Sequence, residues 1–198
     1  MLLDKILPSK ASEPPSALPA PVVEPASIYN VALSYAASGW PVFPIVPGKK
    51  TDEFIKDAST DRYFLMGQFR ARYPNAGIAV ATGVKSGLIA LAVRPGDGDD
   101  NLLALIAEEE DLPDEVLQTI SEEHGRQLLF KIPEFSGPLA TRTIAPGLRV
   151  QCESGFVRLP PGHAEWVEGH CPEDFELSTP PVWLSRRMCR GTAIHLKE

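Results

Sequence analysis

Two short apolar runs constrain the fold most: AGIAVATG, residues 76–83, and SGLIALAVR, residues 86–94. Each is too short for a typical helix and is bounded by glycine, so each reads as a buried strand. The second run is the more informative, because it ends in Arg94, a Pro95-Gly96 break and a cluster of aspartates at 97, 99 and 100. Buried strands that deliver chemistry at their ends usually deliver acids, histidines or cysteines. Here the strand delivers Ala92 and Arg94.

Around these strands the chain alternates helical and extended patterns. Residues 1–26 carry six prolines among small side chains and cannot bury enough apolar area to offset ordering, so they read as a flexible arm. Ser27 is placed to cap a helix whose apolar face is Ile28, Val31, Ala32, Tyr35 and Ala36, with Gly39 at its end. WPVFPIVPGKK reads as an edge or irregular strand closed by a Pro47-Gly48 turn. STDRYFLMGQFRARYP reads as a helix capped by Ser59 or Thr60 and ended before Pro74. Asp99 or Asp100 is placed to cap NLLALIAEEE. RQLLFKIP, GLRVQCES and GFVRLPPG read as further strands, and PPVWLSRRMCR as a last helix. Mixed helices and adjacent short strands predict an α+β domain with a partly antiparallel sheet.

Composition narrows the functional classes. The chain of 198 residues is 43% hydrophobic and can bury a real core. It has no apolar run of membrane-spanning length and no secretory signal pattern, so it is expected in the cytoplasm. Cys152, Cys171 and Cys189 are odd in number and lack C-x-x-C spacing, which argues against a zinc site. The net charge of −7 is local: residues 97–123 hold eleven acids and no Lys or Arg, leaving 19 basic against 15 acidic residues elsewhere. Such a remainder can touch phosphate but forms no dense stripe for tight duplex binding. Glu108–Asp111 would repel DNA.

The order of segments resembles a known family. ALSYAASGWPVFPIVPGKK, ASTDRYFLMGQFRARYPNAGIAVATGVKSGLIAL and GLRVQCESGFVRLPPGH together resemble the bifunctional DNA primase/polymerase N-terminal domain. This is the prim-pol branch of the archaeo-eukaryotic primase superfamily, found in replication proteins of plasmids, phages and integrated elements. The resemblance covers Ile28 to Trp166. It implies an RRM-like sheet core beside a smaller α/β unit, and a two-metal reaction in which paired carboxylates hold Mg²⁺ or Mn²⁺. It divides the chain into an arm (1–26), a prim-pol-like domain (27–178) and a C-terminal helix and tail (179–198).

Set against that family, this chain departs at the decisive positions. The Asp-x-Asp expected at the end of the Ser86–Leu88 strand falls on Ala92 and Arg94. The expected histidine falls on Gln127, and the third aspartate on Arg149. The expectation is therefore a domain with no catalytic residues, no metal and no cofactor; Mg²⁺ or Mn²⁺ would enter only if relocated acids such as Asp97 and Asp99 keep it active. Arg94, Arg126 and Arg149 are candidate phosphate ligands, joined by Lys49, Lys50 and His163. Glu153 or Glu122 could instead neutralise the arginines. His170 and the basic RRMCR cluster, Arg186 to Arg190, read as surface, and Trp40, Phe43 and Trp166 as core. The functional expectation is a catalytically degenerate component of mobile-element replication that binds nucleotide or nucleic acid weakly, or acts as a scaffold. The alternatives are an active primase-polymerase and a protein-interaction module. No G-x-x-x-x-G-K-[ST] motif occurs, so any unwinding activity is expected from a helicase or replication partner on another chain, or from a part of the protein beyond this sequence.

Overall fold

Alternation along the strands decides how the chain folds. The computed structural model describes residues 27–109, 112–122, 124–133 and 139–188; the proline-rich arm, Cys189 and Arg190 lie outside them. Strand β3 (Leu88–Val93) is apolar on both faces and lies inside a six-stranded antiparallel sheet. Its neighbours are β5 (Gly125–Lys131) and β7 (Leu148–Gln151). Outward from these lie β4 (Leu117–Ser121) and β9 (Glu165–Trp166) on one side and β6 (Arg142–Ala145) on the other. A second antiparallel sheet has the order β1 (Val42–Ile45), β2 (Gly77–Ala81), β8 (Phe156–Leu159).

Each face of β3 has its own core. Leu88 and Ala90 pack with Ile78, Val80, Val157 and Leu159 of the smaller sheet and with helices α1 (Ile28–Ala37) and α3 (Arg62–Leu65); the short α2 (Asp52–Ile55) follows β1. Ile89, Leu91 and Val93 pack on the opposite side, beneath α4 (Asp97–Glu108) and α5 (Val182–Met188). A strand covered twice must be apolar throughout, which is why SGLIALAV shows no polar alternation. Trp183, Leu184 and Met188 are all buried in this second core, so it continues to the end of α5. The expected α+β class, with a larger sheet core and a smaller α/β unit, is the one adopted. No helix among the described residues is long and apolar enough to cross a membrane.

Local chemistry explains most element ends. Ser27 Oγ accepts the Asn30 N–H at 3.3 Å, and Gly39 takes φ +83° after α1, both as expected. The cap of α3 differs from the expectation. Asp61, not Ser59 or Thr60, accepts the Phe64 N–H at 2.7 Å, while Ser59 Oγ accepts the Asp61 N–H at 3.0 Å. The helix then continues with π winding over Met66–Arg72 and stops at Tyr73, before Pro74. Helix α4 also starts earlier than expected. Gly96, with φ +81°, is its N-cap, and Asp99 at the third helical position reaches back to the Gly96 N–H at 3.3 Å. The proline-bearing β1 is an edge strand, as its sequence predicts. Trp40 and Phe43 are buried, and Trp166 packs partly buried against the first core.

Candidate functional site

The antiparallel register gathers the decisive positions into one line. Ala92 on β3 stands opposite Gln127 on β5 and opposite Arg149 on β7. The row continues to Thr143 on β6, and past Gln127 to Thr119 on β4 and Trp166 on β9. Alternation puts these side chains on the side of Leu88 and Ala90, towards the smaller sheet. Arg94 lies two residues beyond Ala92, past the last residue of β3, where its N–H donates to Gly147 O at 2.9 Å. The same alternation assigns it to that side. Arg94 and Arg149 are exposed, Ala92 is half-buried, and Gln127 and Thr119 are buried.

Gln127 is held by the smaller sheet. Its Oε1 accepts the backbone N–H of Arg158 on β8 at 3.2 Å, and the Arg158 guanidinium lies 3.4 Å from His124 Nε2. Arg158 thus joins the β4–β5 hairpin to β8, a role that reading the sequence missed. Its only signal was a charged residue in an otherwise apolar strand before Pro160-Pro161. His124, three residues before Gln127, is engaged by this arginine.

Arg126 is brought elsewhere. It pairs in register with Val93, so its side chain belongs to the α4 side of the sheet, and its guanidinium donates to Asp99 Oδ1 at 2.8 Å. That hydrogen bond is the main reason the Asp99 carboxyl is held below its ordinary range. Arg126, Asp99, Glu122, Glu165 and His163 line a cavity of about 700 Å³ at the tips of β3, β4 and β5. Three carboxylates against one paired guanidinium do not make an anion site. The other expected neutraliser, Glu153, accepts the Val84 N–H at 2.7 Å. Among the described residues no acid forms an ion pair with Arg94 or Arg149.

The remaining candidates lie apart from the row. Lys49 and Lys50 are exposed in the turn after β1, with Lys49 Nζ 5.4 Å from the centre of the Tyr73 ring. His163 is exposed and lies against Gly77, where any Cβ would strike its ring. His170, expected as plain surface, is half-buried: Nδ1 donates to Val116 O at 2.8 Å, pinning the loop after β9. Arg187 pairs with Glu109 at 3.0 Å and lies over Trp183, which ties α5 to α4.

A divalent pair needs hard oxygen ligands converging on one point. The four family positions offer a methyl group, an amide whose oxygen is occupied and two guanidinium groups, and the row adds only the hydroxyls of Thr119 and Thr143, so the face does not fit such ions. Among the described residues no three His, Cys, Asp or Glu are grouped to hold a metal. What the exposed end of this face can do is present two forked cationic donors to an anion.

A family model described as bifunctional DNA primase/polymerase, N-terminal, matches residues 32–183. No curated protein matches the chain.

Proposed function

The chain belongs to the bifunctional DNA primase/polymerase N-terminal family, and on that premise we propose that it binds nucleotide or single-stranded nucleic acid without catalysing nucleotidyl transfer. One observation carries this reading. The family's expected acidic and histidine positions, at Ala92, Arg94, Gln127 and Arg149, hold no carboxylate, and both arginines are exposed with no acid partner among the described residues. Metal ions in such a site supply positive charge to a triphosphate and activate the attacking hydroxyl. Guanidinium groups replace the first contribution, because their forked donors match phosphate oxygens. They cannot replace the second. The polymer or nucleotide would be held, and the bond would not form.

In this reading the domain is a pseudoenzyme of mobile-element replication, supporting a helicase or other replication protein on a separate chain. An active enzyme with relocated acids would need Asp99, which Arg126 already engages. Primer extension with Mg²⁺ and with Mn²⁺ tests the loss of catalysis: no template-directed product is expected, and any such product would overturn it. A mobility shift with single-stranded DNA at increasing salt tests binding. Retention at low salt that fades as salt rises is expected. No shift at low salt would leave a protein-interaction module instead.

A further inference from the structure

The α4 side of the six-stranded sheet carries an open apolar groove. Val93 pairs with Arg126, Arg126 with Ile120 and Ile120 with Glu165, and alternation turns all four side chains to this side. Helix α4 packs over β3 and β7, so this row is covered at Val93 and open at Ile120, which is 44% exposed. Two cavities meet at the Arg126–Asp99 pair, which lines both. The larger is the one that holds Glu122, His163 and Glu165. The smaller, of about 320 Å³, has Leu102, Ile106, Val116 and Leu128 for its floor, with Leu103 beside them at 67% exposure. The charge around the groove is acidic. Asp99 holds the Arg126 guanidinium, while Glu122 and Glu165 are exposed. Asp100 and Glu108 on α4, and Asp114 and Glu115 before β4, are exposed on the two segments that wall the smaller cavity. Neither segment contains Lys or Arg. Of the cations on flanking elements, Arg187 pairs with Glu109, Arg186 lines neither cavity, and Arg94 belongs to the opposite face of the sheet.

We propose that this groove seats an amphipathic helix of a partner protein, with apolar side chains over Leu103, Ile106 and Ile120 and with Lys or Arg on its flanks facing Glu122 and Glu165. The shape selects the element. A sheet face that is half covered by α4 is completed by another helix laid beside it, and an apolar floor between polar walls takes a helix by its apolar stripe. The charge selects the partner. Acidic walls repel nucleic acid and anionic lipid headgroups and attract a basic segment. They also disfavour a second copy of the chain, because a two-fold interface would set acid against acid. The groove and the Ala92 row lie on opposite faces of the sheet, so this surface is independent of the phosphate reading at Arg94 and Arg149.

Fluorescence anisotropy tests the proposal, with the full chain and a labelled helix of about 18 leucine and lysine residues, apolar along one face. Saturable binding is expected, and a peptide of the same composition in scrambled order should bind at least about tenfold more weakly. Leu103→Gln with Ile120→Thr should weaken binding about tenfold through the loss of two apolar anchors. Glu122→Gln with Glu165→Gln should weaken it too and flatten its dependence on salt. All four side chains are exposed, so these variants keep the fold, which a matched thermal midpoint checks. No saturable binding, equal binding of the scrambled peptide, or wild-type affinity in Leu103→Gln/Ile120→Thr would each overturn the proposal. A dimer that Leu103→Gln/Ile120→Thr dissociates would make the occupant a second copy. Tighter peptide binding in Ile194→Ser/Leu196→Ser would make it the chain's own C-terminal segment; either result overturns the partner helix. Binding of dTTP in EDTA should be the same in Leu103→Gln/Ile120→Thr as in the wild type, so failure at this groove would leave the Arg94 and Arg149 reading standing.

Discussion

Arg126 and Asp99 stand 2.8 Å apart, joining the second residue of β5 to the first turn of α4. This pair takes the nearest relocated acid away from the Ala92 row, and it takes one arginine away too. Two of the three candidate guanidinium groups therefore remain to meet an anion, and they are the two on the row's side of the sheet.

The pair has a pH signature. Arg126 holds the Asp99 carboxyl below its ordinary value, so the charged form is favoured in the fold. A depressed acid contributes stability above its unfolded pKa and loses it as pH falls through the folded value. Asp99→Asn should lower the thermal midpoint slightly at pH 7. The two proteins should converge once the pH drops below the usual aspartate range. Both groups are partly solvated, so 1 M salt should shrink the difference as well. Thermal melts at several pH values and at two salt concentrations measure this.

At the alkaline end the sensitive group is Tyr35. Burial is the main cause that pushes its hydroxyl up to about 12, although the Trp166 indole N–H donates to its oxygen at 3.2 Å. A raised pKa means that the neutral phenol stabilises the fold below the unfolded value near 10, and that this contribution is lost as pH rises towards about 12. Tyr35→Phe should therefore flatten the fall in thermal midpoint between pH 9.5 and 11.5, roughly the span of that shift. The slope is the test, since the variant also leaves the Trp166 N–H without its acceptor. An unchanged slope would place the phenol in water.

Gly98 tests how closely α4 sits on the β6–β7 turn. A Cβ there would lie 2.6 Å from Gly147 O, a backbone atom that cannot step aside. Alanine gains about 1 kcal/mol of helix propensity over glycine. Overpacking against fixed backbone costs about 1–3 kcal/mol, and here it should win. Gly98→Ala is expected to lower the urea midpoint; a raised midpoint would mean that the helix stands further from the turn.

Trp183 tests where the domain ends. It is 1% exposed and packs with Ile89, Leu91 and Val93 of the central strand. Trp183→Ala should cost about 3–5 kcal/mol in urea unfolding. A loss below about 1 kcal/mol, the range of a surface change, would make α5 an appendage rather than part of the core.

The sequence disclosed the strands whose residues are apolar and hid those whose burial is one-sided. β3 and β5 were legible because Ile89, Leu91, Leu128 and Phe130 pack under the helices while Leu88, Ala90 and Leu129 pack under the smaller sheet. β4 was hidden because only Leu117 and Thr119 are buried in LQTIS, amid an acidic stretch. β6 was hidden because it is an edge strand with no buried side chain. Nothing local signals that β2 and β3, separated by six residues, enter different sheets, with the connection closed on β3 by a bridge between Gly83 and Leu88. The Ala92, Gln127 and Arg149 positions were legible through resemblance alone, and the register then set them in one row. The segregation of Arg126 was illegible because it depends on strand alternation and on where α4 begins.

A calorimetric titration of dTTP into the full chain in EDTA, repeated with Mn²⁺ in place of the chelator, separates a metal-free phosphate site at Arg94 and Arg149 from a metal-dependent one. Saturable binding in EDTA is predicted. It should weaken at least about tenfold in Arg94→Ala/Arg149→Ala, as loss of two charge-assisted contacts implies, and gain nothing from Mn²⁺. Binding that appears only when Mn²⁺ is present, or no binding at millimolar dTTP in either condition, would contradict it.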